Sequence, residues 1–232
     1  MIEAIILAGG LGTRLRSVVS DVPKPMAPVN DKPFLHYIVK NLKLQGVEKI
    51  ILSVGYMSDS ITSYFGDSYI GLEIEYAIEK ELLGTGGGIL NASALINADK
   101  FLVLNGDTYF NINIVDMYHC HDKMKADITI AVANASESRR YGTIQIDEKN
   151  KIVSFQEKSN IAGTNVVSGG VYIFNKSITE EMQKEVSYPI SIETDIFQNY
   201  VSKTNMYAFE SSREFLDIGK PEDYMRASKF LT

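Results

Sequence analysis

Short apolar runs rich in β-branched residues alternate, over the first 80 residues, with longer segments of helical periodicity. The runs have the length and composition of strands, and the segments between them that of amphipathic helices. Such alternation is typical of βαβ units, in which helices cover a mainly parallel sheet. The predicted strands are AIILA at 4–8, KIILSV at 49–54 and IEYAI at 74–78, and the predicted helices span 33–45 and 59–65.

The first helix carries clear boundary signals. Asn30 or Asp31 is expected near its N-cap, Pro33 in its first turn and Gly46 at its end. Three apolar positions at helical spacing predict its buried face: Leu35, Ile38 and Leu42.

A nearly continuous apolar run, FLVLNGD at 101–107, predicts a central strand whose carboxyl end opens into a binding crevice, with Asp107 at that crevice. From about Ala126 the pattern becomes richer in strands, and helices are predicted near 175–186 and 191–202. We therefore predict an α/β fold with a mixed, mainly parallel central sheet flanked by helices. It forms a single domain over 1–232, with halves of about 1–125 and about 126–232.

Composition and charge limit the possible functions. The 232 residues are 45% hydrophobic with a formal charge of −6, which argues against a general grip on nucleic acid. The single cysteine, Cys120, fits a reducing compartment, and no apolar stretch is long enough for a membrane span. The first residues lack the basic region of a signal peptide. These features predict a cytoplasmic protein without a membrane span.

The loop after the first strand has the composition of a phosphate site. Gly9, Gly10 and Gly12 let backbone N–H groups approach phosphate oxygens, and Arg14 and Lys24 add positive charge. An ordinary glycine turn of an α/β fold is the alternative. The charged residues favour the phosphate site.

Two common phosphate motifs do not fit this loop. It lacks the Gly-Lys-Ser/Thr of a Walker A motif, and Leu15 stands where a dinucleotide fingerprint has its third glycine. The segments GGLGTRL at 9–15 and PKPMAP at 23–28 instead resemble the signature of the sugar nucleotidyltransferase family. This resemblance implies a Rossmann-like, GT-A-like fold and the transfer of a nucleoside monophosphate to a sugar 1-phosphate.

The resemblance also implies a nucleotide site in the first half of the chain. Arg14 would bind the β- and γ-phosphates, and Lys24 would stabilise charge on the α-phosphate; with Asp107 they form the expected catalytic set. The segment LGTGGGI at 83–89 would face base and ribose, unless it is only a glycine-rich helix start. The expected nucleotide contacts are Leu7, Ala8, Gly9, Gly10, Gly12, Thr13, Arg14, Lys24, Glu79, Gly84 and Thr85.

Two carboxylates are implied as Mg²⁺ ligands. Asp107 ends NGD at 105–107, and Asp217 lies in FLDIGKPEDY, which departs from the family pattern at Lys220. A hard cation held by one or two carboxylates and substrate phosphates suits phosphoryl transfer. Read alone, either aspartate could be a cap or turn residue.

The acceptor side is implied by YGTI at 141–144, FQEKS at 155–159 and VSGGVYIF at 167–174. Glu157 would accept hydrogen bonds from sugar hydroxyls, and Lys158 would hold the 1-phosphate. Ser159 and Ser168 depart from the family pattern there. The expected sugar-phosphate contacts are Gly142, Glu157, Lys158, Ser168 and Gly170.

Base choice is assigned to Glu79, whose carboxylate could accept from both N1–H and the 2-amino group of guanine. GTP is therefore favoured, although uracil could satisfy Glu79 once and the residue could be an exposed strand end. Segment 16–35 is most similar to the branch of the family that guanylylates D-glycero-α-D-manno-heptose 1-phosphate for bacterial surface polysaccharides.

Several alternatives remain open. Within the family these are a mannose 1-phosphate guanylyltransferase and an amino-sugar 1-phosphate uridylyltransferase. From other classes they are a catalytically silent nucleotide-sugar sensor and a nicotinamide-dependent oxidoreductase. A homodimer is possible. A zinc site at 119–121 is not expected, because adjacent residues of a helix point in different directions.

Overall fold

A computed structural model describes residues 1–10, 21–135, 141–157 and 166–231. The helices in these ranges are α1 Phe34–Leu44, α2 Ser58–Phe65, α3 Gly84–Ser93, α4 Ile114–Met124, α5 Lys176–Met182, α6 Gln198–Tyr200 and α7 Pro221–Phe230, with a 3-10 turn at Lys24–Met26 and a π-helix at Ile192–Phe197. The strands β1 to β14 are, in chain order, Ile2–Leu7, Pro28–Val29, Lys32–Pro33, Val47–Val54, Ser68–Tyr69, Leu72–Ile78, Lys100–Asn105, Thr108–Phe110, Ile128–Asn134, Thr143–Ile146, Ile152–Gln156, Val166–Asn175, Met206–Glu210 and Phe215–Asp217.

A ten-stranded sheet forms the centre of the molecule. Its parallel part runs β7-β1-β4-β6, and β12 joins it to β9, β10 and β11 through antiparallel pairs. The predicted mixed, mainly parallel sheet flanked by helices is confirmed. Because β7 pairs directly with β12, one sheet crosses both predicted halves, and the boundary near residue 125 stays a prediction.

Both faces of this sheet are covered, which explains why β1 is apolar at consecutive positions. Ile5 packs into a cluster that includes Ile89 and Leu90 of α3, whereas Ile6 packs on the opposite face with Leu35 and Ile38 of α1. A strand buried on two faces needs no polar alternation.

The first helix differs from its prediction at its start. Asn30 and Asp31 do not lie near the N-cap; they form the turn between β2 and β3 with positive φ angles of 45° and 64°. Pro33 occupies the N-cap position. Both polar residues suit the left-handed region required by the turn, and the Asn30 side chain donates to the carbonyl of Leu231, which holds the end of α7. The buried face is as predicted: Leu35, Ile38 and Leu42.

The later helices are shorter than predicted. The segment 175–186 contains α5 alone, and 191–202 divides into the π-helix and α6. After these segments, β14 pairs with β8, and this small antiparallel pair brings the chain near residue 217 back beside the carboxyl end of β7. No helix in the described ranges has both the length and the apolarity to cross a bilayer.

Candidate active site

The carboxyl ends of β1 and β7 open into a cavity of about 760 Å³. Leu7 and Gly10 line it from β1, and Asn105 and Asp107 line it from β7. The two strand ends are joined where the Gly106 N–H donates to the Leu7 carbonyl at 2.9 Å. This is the edge at which open α/β sheets bind ligands.

Lys24 lies between two carboxylates at this edge. Its ammonium donates to Asp107 Oδ2 at 2.6 Å and to Asp217 Oδ1 at 3.3 Å. The three residues come from distant parts of the chain: the 3-10 turn, the turn after β7 and the end of β14. The register of β8 and β14 sets Asp217 opposite Thr108, which brings the two aspartates together.

The carboxylates are held from behind by the backbone and by a hydroxyl. The Gly219 N–H donates to Asp217 Oδ1 at 2.7 Å, and the Thr108 hydroxyl donates to Asp107 Oδ1 at 3.2 Å. Burial and the charge of Asp107 raise the pKa of Asp217, whereas the Lys24 ammonium and the Gly219 N–H lower it. Lys24 thus acts as the counter-cation of the pair.

The carboxylates of Asp107 and Asp217 are suitable ligands for a divalent cation such as Mg²⁺. Such a cation prefers oxygen ligands and is commonly held by one or two carboxylates, with phosphates and water completing its shell. Within the described ranges no group of three or more acidic, histidine or cysteine side chains converges on one point. A cation here would therefore need oxygens from substrate, as phosphoryl transfer supplies.

Glu79 lies behind the glycine loop, at the end of β6. It accepts a hydrogen bond from the Ser53 hydroxyl at 3.1 Å and one from the backbone of Leu83. A Cβ on Gly9 or Gly88 would come within 3.2 or 2.9 Å of its Oε1. Burial raises the pKa of Glu79. The residue is half-buried rather than an exposed strand end.

Four predicted acceptor contacts line the same cavity: Gly142, Glu157, Ser168 and Gly170. Gly170 has φ +72°, and a Cβ there would lie 3.0 Å from the Asn105 side chain, so this bend of β12 requires glycine. The structure therefore brings the predicted acceptor residues and the aspartate pair to one opening.

Gly84 and Thr85, predicted to face base and ribose, are joined to the segment 190–193. The Thr85 hydroxyl accepts from the Ile192 N–H at 2.9 Å and donates to Glu193 Oε2 at 3.3 Å. Gly84 has φ +76°, and a Cβ there would lie 2.3 Å from the Ile190 carbonyl oxygen. Both residues also line the cavity.

Ala8, His121 and the predicted site residues outside the described ranges remain to be placed. Ala8 is buried, and its N–H donates to the Ser53 carbonyl, so it supports the loop from inside. His121 is buried in α4 and hydrogen-bonds Thr129 and Asn175. Four predicted site residues lie outside the described ranges: Gly12, Thr13, Arg14 and Lys158.

Glu193 and Ser191 also line the cavity, although no motif of the sequence predicts them as site residues. The helical pattern of 191–202 singles out no face. One local signal was available: a serine followed by carboxylates at 193 and 195, the pattern of a helix start. Nothing local indicated that this start faces the acceptor residues.

Comparison with known proteins agrees with this geometry. The family model described as nucleotidyl transferase matches residues 3–232. The chain is 45% identical to a D-glycero-alpha-D-manno-heptose 1-phosphate guanylyltransferase of Aneurinibacillus thermoaerophilus, covering 99% of this chain and 98% of that protein. It is 41% identical to the enzyme of the same name from Campylobacter jejuni, covering 96% of each.

A solved structure shares the whole architecture. HddC from Yersinia pseudotuberculosis, in complex with GMP-PN, superposes with a TM-score of 0.84 at 38% identity and covers 100% of both chains. The glycine loop, the sheet edge and the aspartate pair thus occur in a chain matched over nearly its full length by these relatives. The protein belongs to the nucleotidyl transferase family.

Proposed function

We propose that this protein transfers GMP from GTP to D-glycero-α-D-manno-heptose 1-phosphate, giving GDP-heptose and pyrophosphate for surface polysaccharide synthesis. The observation that carries the proposal is the convergence of Lys24, Asp107 and Asp217 at a cavity that Glu157 also lines. The similarity to heptose 1-phosphate guanylyltransferases supports the choice of base and sugar.

The reaction is a single in-line displacement. An oxygen of the sugar 1-phosphate forms a bond to the α-phosphorus of GTP, and the bond from that phosphorus to the oxygen bridging to the β-phosphate breaks. The electron pair leaves with pyrophosphate. The incoming phosphate is already ionised, so neither a covalent enzyme intermediate nor a general base is required.

Catalysis then rests on positioning and on offsetting charge. Lys24 would stabilise the charge that builds on the α-phosphate oxygens, and Arg14 would hold the β- and γ-phosphates. Family members generally use a divalent metal ion. Mg²⁺, held by Asp107 and Asp217, would offset charge on the phosphates of both substrates. The backbone N–H groups of the loop after β1 would surround the triphosphate.

Recognition would fall to Glu79, which lies against Gly9 and Gly88, and to the residues that line the cavity on the acceptor side. Glu79 would accept from N1–H and the 2-amino group of guanine, a pair of donors that uracil does not offer. Glu157 would accept from sugar hydroxyls, and Lys158 would bind the 1-phosphate. Gly142, Ser168 and Gly170 would complete the acceptor wall.

The test is a screen of four nucleoside triphosphates against a panel of sugar 1-phosphates with Mg²⁺, following pyrophosphate and the nucleotide sugar. We expect GTP with the heptose 1-phosphate to give the highest kcat/KM. A preference for mannose 1-phosphate, or for UTP with an amino-sugar phosphate, would replace the proposed substrates by those. Binding of nucleotide sugar without pyrophosphate release from any pair would indicate a sensor.

Lys24→Ala and Asp107→Ala are the matched variants, because each removes one charge of the cluster. Both should abolish turnover while the fold is retained in circular dichroism. Near-normal turnover would remove that residue from the proposed mechanism. Because both substrates are soluble, we place the reaction in the cytoplasm. The predicted homodimer is a separate proposal, and light scattering on the purified protein tests it.

A further inference from the structure

Glu193 is a carboxylate in the wall of the cavity that none of the assignments above uses. It is the second residue of the π-helix and lies two positions after Ser191, which caps that helix. Burial raises its pKa, and the charge of Glu157 raises it further. The carboxylates of Glu157, just after β11, and of Glu193, in the π-helix, thus line one cavity and influence each other electrostatically.

Two side-chain hydroxyls hold the carboxylate of Glu193. Oε2 accepts from the Ser191 hydroxyl at 2.8 Å and from the Thr85 hydroxyl at 3.3 Å. Neither bond uses Oε1. Two hydroxyl donors on the same oxygen fix the orientation of the carboxylate in the cavity wall.

No ion pair joins Glu193 to a basic side chain in the described ranges. A half-buried carboxylate without a cation is costly unless hydrogen-bond donors satisfy it. The acceptor carries such donors as hydroxyls, whereas its phosphate would be repelled by Glu157 and Glu193. We therefore expect the hydroxyls of the sugar ring to face the two glutamates, with the 1-phosphate held by Lys158 as proposed above.

Thr85 links this wall to the start of α3. Its hydroxyl joins Ile192 and Glu193, and the Ile190 carbonyl accepts from the Gly86 N–H at 3.0 Å. The side chain of Thr85 is therefore engaged on the acceptor side, although the family resemblance assigned it to the nucleotide.

We infer that Glu193 accepts hydrogen bonds from the hydroxyls of the sugar 1-phosphate and helps to determine which sugar 1-phosphate is used. Thr85 is the positioning residue that fixes the Glu193 carboxylate. The inference rests on the proposed transfer to a sugar 1-phosphate and extends it to two residues. It also reassigns Thr85 from nucleotide binding to acceptor binding.

The test measures KM for acceptor and for GTP separately. In Glu193→Gln the sugar 1-phosphate should bind less well, because a neutral amide replaces the carboxylate that accepts its hydrogen bonds. The KM for the sugar 1-phosphate should rise about tenfold. KM for GTP should change less than twofold. Thr85→Val keeps the shape but removes the hydroxyl, and should raise acceptor KM severalfold; Thr85→Ser should restore it. Glu181→Gln, an exposed carboxylate of α5, is the control.

An unchanged acceptor KM in Glu193→Gln would overturn the inference for Glu193. A rise in GTP KM in Thr85→Val, with acceptor KM unchanged, would return Thr85 to the nucleotide. If Thr85→Val loses its fold in thermal unfolding, Thr85→Ser and Glu193→Gln still decide the outcome. A wild-type protein without activity on any sugar 1-phosphate would refute the proposed function instead, so the two failures are distinguishable.

Discussion

Replacing Lys24 by Met should strengthen the binding of a divalent cation in the absence of nucleotide. In the structure the Lys24 ammonium compensates the charge of Asp107 and Asp217, at 2.6 and 3.3 Å. A cation that binds the two carboxylates must replace these contacts. Met has similar length and removes the charge, so the cation meets no competitor.

The magnitude follows from charge and exposure. Two unit charges about 4 Å apart interact with about 4 kcal/mol at an effective dielectric constant of about 20. The Lys24 side chain is 9% exposed, but the Asp107 side chain is 36% exposed, so solvent screening reduces this energy. We take about 2–3 kcal/mol for the contacts that the cation replaces, which corresponds to about 30-fold to 150-fold in affinity.

Titration calorimetry with Mg²⁺ and with Mn²⁺ measures this affinity without any turnover. Lys24→Met should bind the cation more tightly than wild type by that factor and should gain thermal stability when the cation is added. Lys229→Met, which removes an exposed lysine of α7, should behave as wild type. Equal affinities of wild type and Lys24→Met would show that Lys24 does not compete with a cation for these carboxylates.

Three further predictions concern other carboxylates. Glu79→Gln should raise KM for GTP at least tenfold and narrow the preference for GTP over UTP, since the amide presents donors to a donor edge of guanine; an unchanged preference in competition assays would remove Glu79 from base choice. Because burial raises the pKa of Glu193, its carboxylate should protonate at a higher pH than an ordinary glutamate, and as the pH is lowered the KM of wild type for the sugar 1-phosphate should approach that of Glu193→Gln; a ratio of the two KM values that does not change with pH would contradict this. Glu3→Ala should lower the free energy of unfolding by about 2–4 kcal/mol, because the buried Glu3 accepts from two backbone N–H groups at 97–98; urea unfolding beside the exposed Glu73→Ala measures it, and equal stability of the two would refute the role.

The elements of the parallel part follow from local pattern. The apolar runs at 4–8, 49–54 and 74–78 became β1, β4 and β6, and the buried face of α1 is the one predicted. The positions of these strands and the buried face of the helix follow from periodicity and length within about ten residues, so no distant contact is needed to predict them. The start of α1 was wrong because the turn at 30–31 uses the same residue types that cap helices.

The glycine loop and the order of the motifs sufficed to identify the family. They did not reveal what each side chain contacts. Lys24, Asp107 and Asp217 meet because the short pair β8-β14 returns the chain to the end of β7, a contact across 110 residues that no local pattern encodes. Thr85 likewise lies against Glu193 across 108 residues.

The sequence by itself thus determined the strands and helices of the parallel part, the class of phosphate chemistry and the residue types that serve it. Only the tertiary structure decided which carboxylates share one cavity, that Lys24 is the counter-cation of the aspartate pair and that Glu193 lines the same cavity as Glu157. The physical reason is that periodicity and capping act between near neighbours, whereas a site is assembled from strand ends whose proximity depends on the register of the whole sheet.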